Sequence, residues 1–297
     1  MIKPCCFFLV TFFFPSCGEK CGAADEAPCL VIIQPGRPGS PKTAEGFLSR
    51  LGDYLARSTK LPKPSLSYQN KPADALSMLK KTLPDLGIVS LGFYLEYHER
   101  FGLKPVLEAY PLKKYVLVAS EGNLKTAADL DGKLVMGGPL YELNFVRRIL
   151  FPPGEKTAAA LPGWKGSDAW LPRPTTKVSA ALYQLGKGRV EAVVLHESQY
   201  KSMKTLGRLK KVEKVMESSY YPPAVIVAFR GALESAEAVS EEQRLLINAM
   251  EKISTVKDAG EIVQQMGCKG FRKIRPGWMG EIEKKYHFER GEKNEKK

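Results

Sequence analysis

The stretch KYVLVASEGNLKTAADLDGKLVMGGPLYELNFVRRIL, residues 114–150, decides the fold. Tyr115 to Ala119 is a β-rich apolar run too short for a helix, and Ser120, Glu121, Gly122 and Asn123 stop it. Thr126 to Leu130 makes about one helical turn, Asp131-Gly132 breaks it, and Lys133 to Met136 is again apolar and extended. Gly137 and Gly138 allow a close backbone approach, Pro139 fixes the next turn, and Tyr141 to Leu150 is amphipathic through Leu143, Val146, Ile149 and Leu150. Strand, turn, strand, glycine turn and long helix make a βα crevice, where a helix N-terminus receives an anionic or polar ligand. The same residues also suit an ordinary βα turn. Glu142, Arg147 and Arg148 read as an exposed face of the long helix.

The flanking chain repeats this alternation. Cys29 to Ile33 is a short β-run, followed by the loop Gln34-Pro35-Gly36-Arg37-Pro38-Gly39-Ser40 and helical spacing over Thr43 to Ser58. Strands are predicted over Pro64–Tyr68, Leu86–Ser90 and Val106–Ala109, with helices over Ala73–Thr82 and Phe93–Arg100. Beyond residue 150, Pro152 to Pro174 is a long irregular segment holding Trp164 and Trp170, of the kind that is functional or disordered in compact domains. A helix over Thr176–Leu185, a strand over Val190–Leu195 ending at His196-Glu197, a helix over Ser198–Leu206 and strands over Val212–Glu217 and Ala224–Phe229 follow. The carboxyl part is helical: Ser240–Ser254, opened by a Ser-x-x-Gln capping box, then Val256–Met266 and Trp278–Tyr286. Strands alternating with helices at this pace argue an α/β chain whose mostly parallel sheets bind ligands beyond their carboxyl ends.

The first 24 residues are an address. Lys3 supplies a positive start, Cys5 to Phe14 an apolar run of ten residues, and Pro15-Ser16 a break before Cys17. That run is shorter than the about 20 residues a membrane-spanning helix needs. Two processing readings stay open: lipidation of Cys17 at a lipoprotein-type site, or cleavage after Gly22-Ala23-Ala24. Five of the six cysteines lie at or before position 29, so there is no disulfide framework, and Cys29 and Cys268 are read as thiols although they could pair in an oxidising compartment. His98, His196 and His287 lie far apart in sequence, so neither a metal nor another cofactor is expected. A net charge of +13 invites nucleic acid, yet the basic residues are dispersed and the export signal points elsewhere; an anionic membrane surface or small anions suit the charge better. The polar end, residues 290–297, is expected to be disordered.

The order of the pieces ADALSMLKKTLPDLGIVSLGFYLEYHERFGLKPV from Ala73, KYVLVASEGNLKTAADLDGKLVMGG from Lys114, SAALYQLGKGRVEAVVLHES from Ser179 and PPAVIVAFRGAL from Pro222 resembles the phosphonate-type substrate-binding proteins of ABC transporters, within the type II periplasmic binding proteins. The resemblance implies two α/β lobes joined by two crossing strands, residues 29–118 with 223–297 forming one and 119–222 the other, which trap a ligand by hinge closure. Tyr94 falls on the family's cleft tyrosine. Gly138-Pro139-Leu140-Tyr141 replaces the family's Ser/Thr-rich turn, His196 stands where the family has an aspartate, and Lys177-Val178-Ser179 where it has its cleft histidine. Each polar ligand group left without a partner costs on the order of 1–3 kcal/mol, so these departures argue against phosphonate and leave the ligand's identity open.

Position at strand ends selects Gln34, Arg37, Ser90, Tyr94, Gly138, Tyr141, His196 and Glu197 as the candidate ligand-binding set. Tyr94 and Tyr141 would stack on an organic solute; Arg37 and His196 could equally be solvated loop residues. The expected function is an exported solute-binding protein, a monomer that hands a small polar or anionic ligand to the membrane permease of an ABC transporter. The alternatives are a ligand-sensing module for a membrane sensor and an enzyme on the same fold. The enzyme reading has only the pair His196-Glu197, and neighbours at a strand end point opposite ways, so no catalytic residue is expected.

Overall fold

A computed structural model describes residues 27–124, 130–152, 170–229 and 239–291 of the chain. The expected export signal with Cys17, most of the helical turn expected over Thr126–Leu130, Trp164 and the last six residues lie outside these. The strands are β1 (Cys29–Ile33), β2 (Ser65–Gln69), β3 (Leu86–Val89), β4 (Leu103–Tyr110), β5 (Tyr115–Ser120), β6 (Leu134–Gly137), β7 (Leu171–Pro174), β8 (Ala192–His196), β9 (Val212–Glu217), β10 (Val225–Phe229) and β11 (Gly270–Lys273). The helices are α1 (Pro41–Thr59), α2 (Pro72–Leu79), α3 (Leu91–Phe101), α4 (Leu143–Phe145), α5 (Val178–Gly186), α6 (Glu197–Thr205), α7 (Glu241–Lys252), α8 (Gly260–Gln265) and α9 (Trp278–Gly291). The α9 helix therefore runs two residues into the tail expected to be disordered.

Two mixed sheets define two lobes, with orders β11-β4-β10-β3-β1-β2 and β7-β6-β8-β5-β9. Parallel pairing covers only one side of each, β1 with β2 and β3, and β6 with β7 and β8. The other side is antiparallel, because the chain crosses between lobes there and returns beside itself. Strand β5 lies wholly in the second sheet, its Tyr115 to Ala119 paired with His196 to Ala192. The first crossing thus falls between Tyr110 and Tyr115, ahead of the expected boundary at 118. There it meets the return strand, with Lys113 and Tyr221 exchanging backbone hydrogen bonds of 2.7 and 2.9 Å.

Capping fixes the helices next to the cleft. Ser40 accepts from the Thr43 amide, Thr43 returns the bond, and α1 stops at Lys60 in the left-handed region. Ser90 caps α3 through the Phe93 amide at 3.2 Å. The Ser240–Gln243 capping box is present at α7. The long helix expected over Tyr141–Leu150 is absent: a 3-10 turn Pro139–Glu142, the single turn α4 and a π turn Val146–Leu150 replace it. Glu142, at φ −116° and ψ 56°, breaks the helical path.

Tyr54, Leu55, Leu246 and Ile262 pack on one face of the first sheet, and Ala181 and Leu185 on the outer face of the second. The largest cluster runs from Val31, Val89 and Phe93 in the first lobe to Leu117, Val135, Phe145 and Val194 in the second, so apolar packing is continuous between the lobes. Cys29 and Cys268 are free thiols. No helix among the described residues is long and apolar enough to cross a membrane.

Candidate functional site

The cleft is built from strand ends. In the first sheet β1, β2 and β3 stop in register at Ile33, Gln69 and Val89, which places Gln34 and Ser90 side by side on its crest. In the second, Gly137 pairs with Val194, so Gly138 and His196 stand on the opposing crest. The crests touch through glycine: a Cβ at Gly36 would lie 2.1 Å from the Gly138 carbonyl oxygen, and one at Gly138 would lie 2.5 Å from that of Gly36. Only glycine backbones pass this close.

Between the crests, Gln34, Arg37, Ser90, Gly138, Glu142 and His196 line a void of about 30 Å³, room for a water or two and for no solute. Pro35, Gly36, Tyr115, Pro139, Gln199 and Pro223 complete the wall. Glu142 dominates it. Its carboxylate, carried by the second lobe, accepts from the Ser90 hydroxyl and the Phe93 amide at the N-terminus of α3 in the first lobe. A Cβ on Gly92 would sit 2.8 Å from the Glu142 carboxyl carbon, so the bare glycine is what lets the acid settle on the helix end.

Enclosure raises the Glu142 carboxyl from 4.5 to about 7, against the opposing pull of Ser90, the Phe93 amide and the Arg37 guanidinium. Burial, with the positive charges of Arg37 and Lys113, holds the His196 imidazole well below 6.5 and therefore neutral. His196 lies edge-on to Tyr115 at 4.8 Å, and burial, aided by Glu142, pushes the Tyr115 phenol up. The site thus offers a neutral imidazole, a titratable acid and one guanidinium.

The family of ABC-transporter, phosphonate, periplasmic substrate-binding proteins matches residues 39–278. The chain belongs to that family. It is a solute-binding protein of the phosphonate-binding family, whose role implies a small-molecule ligand and a membrane permease. Among solved structures of similar fold, XAC2383 from Xanthomonas citri, solved with ATP, superposes with a TM-score of 0.65 at 13% identity, covering 89% of this chain and 98% of that one. A phosphonate-transporter binding component from Pseudomonas aeruginosa gives 0.62 at 11% identity over 89% and 87%. PhnD1 from Prochlorococcus marinus, in complex with methylphosphonate, gives 0.59 at 14% over 87% and 97%. No curated protein matches the chain.

Within this family member the expected residues divide. Gln34, Arg37, Ser90, Gly138 and His196 line the cleft. Tyr94 does not: it is 1% exposed and its hydroxyl bonds Glu283 on α9, on the far side of α3. Tyr141 stays outside, its amide bonded back to the Gly138 carbonyl at 3.1 Å. Glu197 turns away from His196 to Lys201 at 2.6 Å and the Lys114 amide at 3.3 Å. Glu142 is the opposite correction, a cleft residue read from sequence as an exposed helix face. Gln199, a cleft residue outside the expected set, accepts from the His196 amide at 2.9 Å. The histidines are not all apart in space: possible ligand atoms of His98, Glu99 and His287 gather within 4.8 Å of one another.

Proposed function

We propose that the chain is exported by its first 24 residues, held at the membrane through lipid on Cys17, and works as a monomer that captures a solute between its lobes for a permease. We further assign the solute a cationic or hydrogen-bond-donating group that Glu142 receives. The observation that carries this reading is the Glu142 carboxylate on the N-terminal turn of α3, bonded to Ser90 across the cleft. A bare oxyanion must displace that carboxylate, whereas an amine can pair with it. The void of about 30 Å³ requires the lobes to part before any solute enters, so capture proceeds by hinge opening and reclosure. No bond is made or broken, and His196 serves as a neutral hydrogen-bonding wall.

The test is a thermal-shift series with methylphosphonate, phosphate, 2-aminoethylphosphonate, amino acids and a quaternary amine. A ligand at a hundred times its dissociation constant stabilises the folded state by about 2.7 kcal/mol. Amine-bearing compounds should raise Tm, and His196→Ala should weaken them. A shift with methylphosphonate and none with amines would overturn the role given to Glu142. Silence across the series would overturn capture itself.

A further inference from the structure

The first lobe holds a cavity larger than the cleft. It encloses about 260 Å³ between α1, the end of α8 and the first sheet, against about 30 Å³ in the cleft. That lies just under the range of about 300–1,000 Å³ typical of small-molecule sites. Phe47, Met266 and Phe271 form apolar walls, and Tyr68 stands beside them.

One end is polar. Gln34, 8% exposed, borders the cavity there. The Arg37 guanidinium beside it has no ion pair among the described residues. It lies against Gly267, where a Cβ would come within 2.8 Å of Nη1, so that glycine gives the guanidinium its place. A positive head group, an amide side chain and an apolar chamber thus meet in one cavity.

We propose that this cavity is a second ligand site, in the first lobe and outside the cleft, for a small organic anion with an apolar body. The acid group bonds Arg37 and Gln34 while the body fills the space beside Phe47, Met266 and Phe271. The inference is independent of which solute enters the cleft, although Gln34 and Arg37 border both spaces.

Calorimetric titration with benzoate and its neutral analogue benzamide tests it, on the unaltered protein and on Arg37→Met, Ala44→Phe and Gly138→Ala. Ala44 lines the cavity from α1, so phenylalanine there fills it, while Gly138 belongs to the cleft. Benzoate should bind at least about tenfold more tightly than benzamide. Arg37→Met should remove that preference, Ala44→Phe should abolish binding of both, and Gly138→Ala should leave benzoate binding in place. Circular dichroism and Tm confirm that each variant is folded; should Ala44→Phe not fold, Met266→Ala replaces it and should weaken both compounds. Failure of benzoate to bind at millimolar concentration overturns the proposal. So does binding that survives Ala44→Phe but is lost in Gly138→Ala, which would assign benzoate to the cleft.

Discussion

Ser90 in the first lobe donates a hydrogen bond to Glu142 in the second, and this single contact joins the helix-capping residue of α3 to an acid that burial has raised to about 7. The raised value belongs to the closed cleft, since opening returns the carboxyl to water and toward 4.5. The closed protein therefore binds a proton that the open or unfolded one releases. Its contribution to closure is complete below 4.5 and is lost as pH rises through about 7. Small-angle scattering should show the radius of gyration growing over that window, and Glu142→Gln should make it flat. A radius that shrinks with rising pH would contradict the assignment.

His196 should behave in the opposite sense. Its depressed value means that the folded state favours the neutral ring, so its contribution is present above 6.5 and is lost as pH falls. Proton NMR should find its imidazole signals unmoved at pH 6.5, where an exposed histidine is half-protonated. A titration centred there would place the ring in water.

Gly138→Ala should hold the lobes apart. Gly138 has φ −63°, so alanine adds no backbone strain, but its Cβ would fall 2.5 Å from the Gly36 carbonyl oxygen. Each lobe should keep its circular dichroism while solute affinity falls by at least about tenfold. Unchanged affinity would show that the glycine contact is not part of the binding-competent form.

Arg275→Ala should weaken the first lobe. Glu108 on β4 is fully buried, and Arg275 reaches both of its oxygens, at 3.0 and 3.2 Å, while Arg272 holds one at 2.9 Å. The arginines are themselves 37% and 47% exposed, which screens the pair, so urea unfolding should report a loss of about 1–3 kcal/mol and no more. Arg272→Ala should cost less, because Arg275 keeps the carboxylate bidentate. A larger loss from Arg272→Ala would reverse this ranking.

What the sequence made legible is what local chemistry determines. Cys29–Ile33 and Val212–Glu217 are strands at the bounds read from their apolar runs and breakers. Gln34, Ser90 and His196 follow directly from where strands stop. The edge strands β7, Leu-Pro-Arg-Pro, and β11, Gly-Phe-Arg-Lys, went unread because pairing with β6 and β4 forms them, against their own propensity. Glu142 was illegible for a similar reason: its partner Ser90 is 52 residues away, and the space it occupies exists only because Gly92 lacks a side chain. Tyr94 was assigned to the cleft on its place in the chain, and the C-terminal helix claims its hydroxyl instead.

The central position of β10 in the first sheet has a bearing on how the chain assembles. Among the described residues, 225–229 alone join β3 to β4, so the half-sheet of β1, β2 and β3 stays separate from β4 until they arrive. By then the intervening lobe, whose strands β5 to β9 are contiguous in the chain, is already complete. A chain emerging amino end first would therefore fold its inserted lobe before its first one. The half-sheet that carries the Gln34 crest would gain its β4 side only after the other lobe has all its strands.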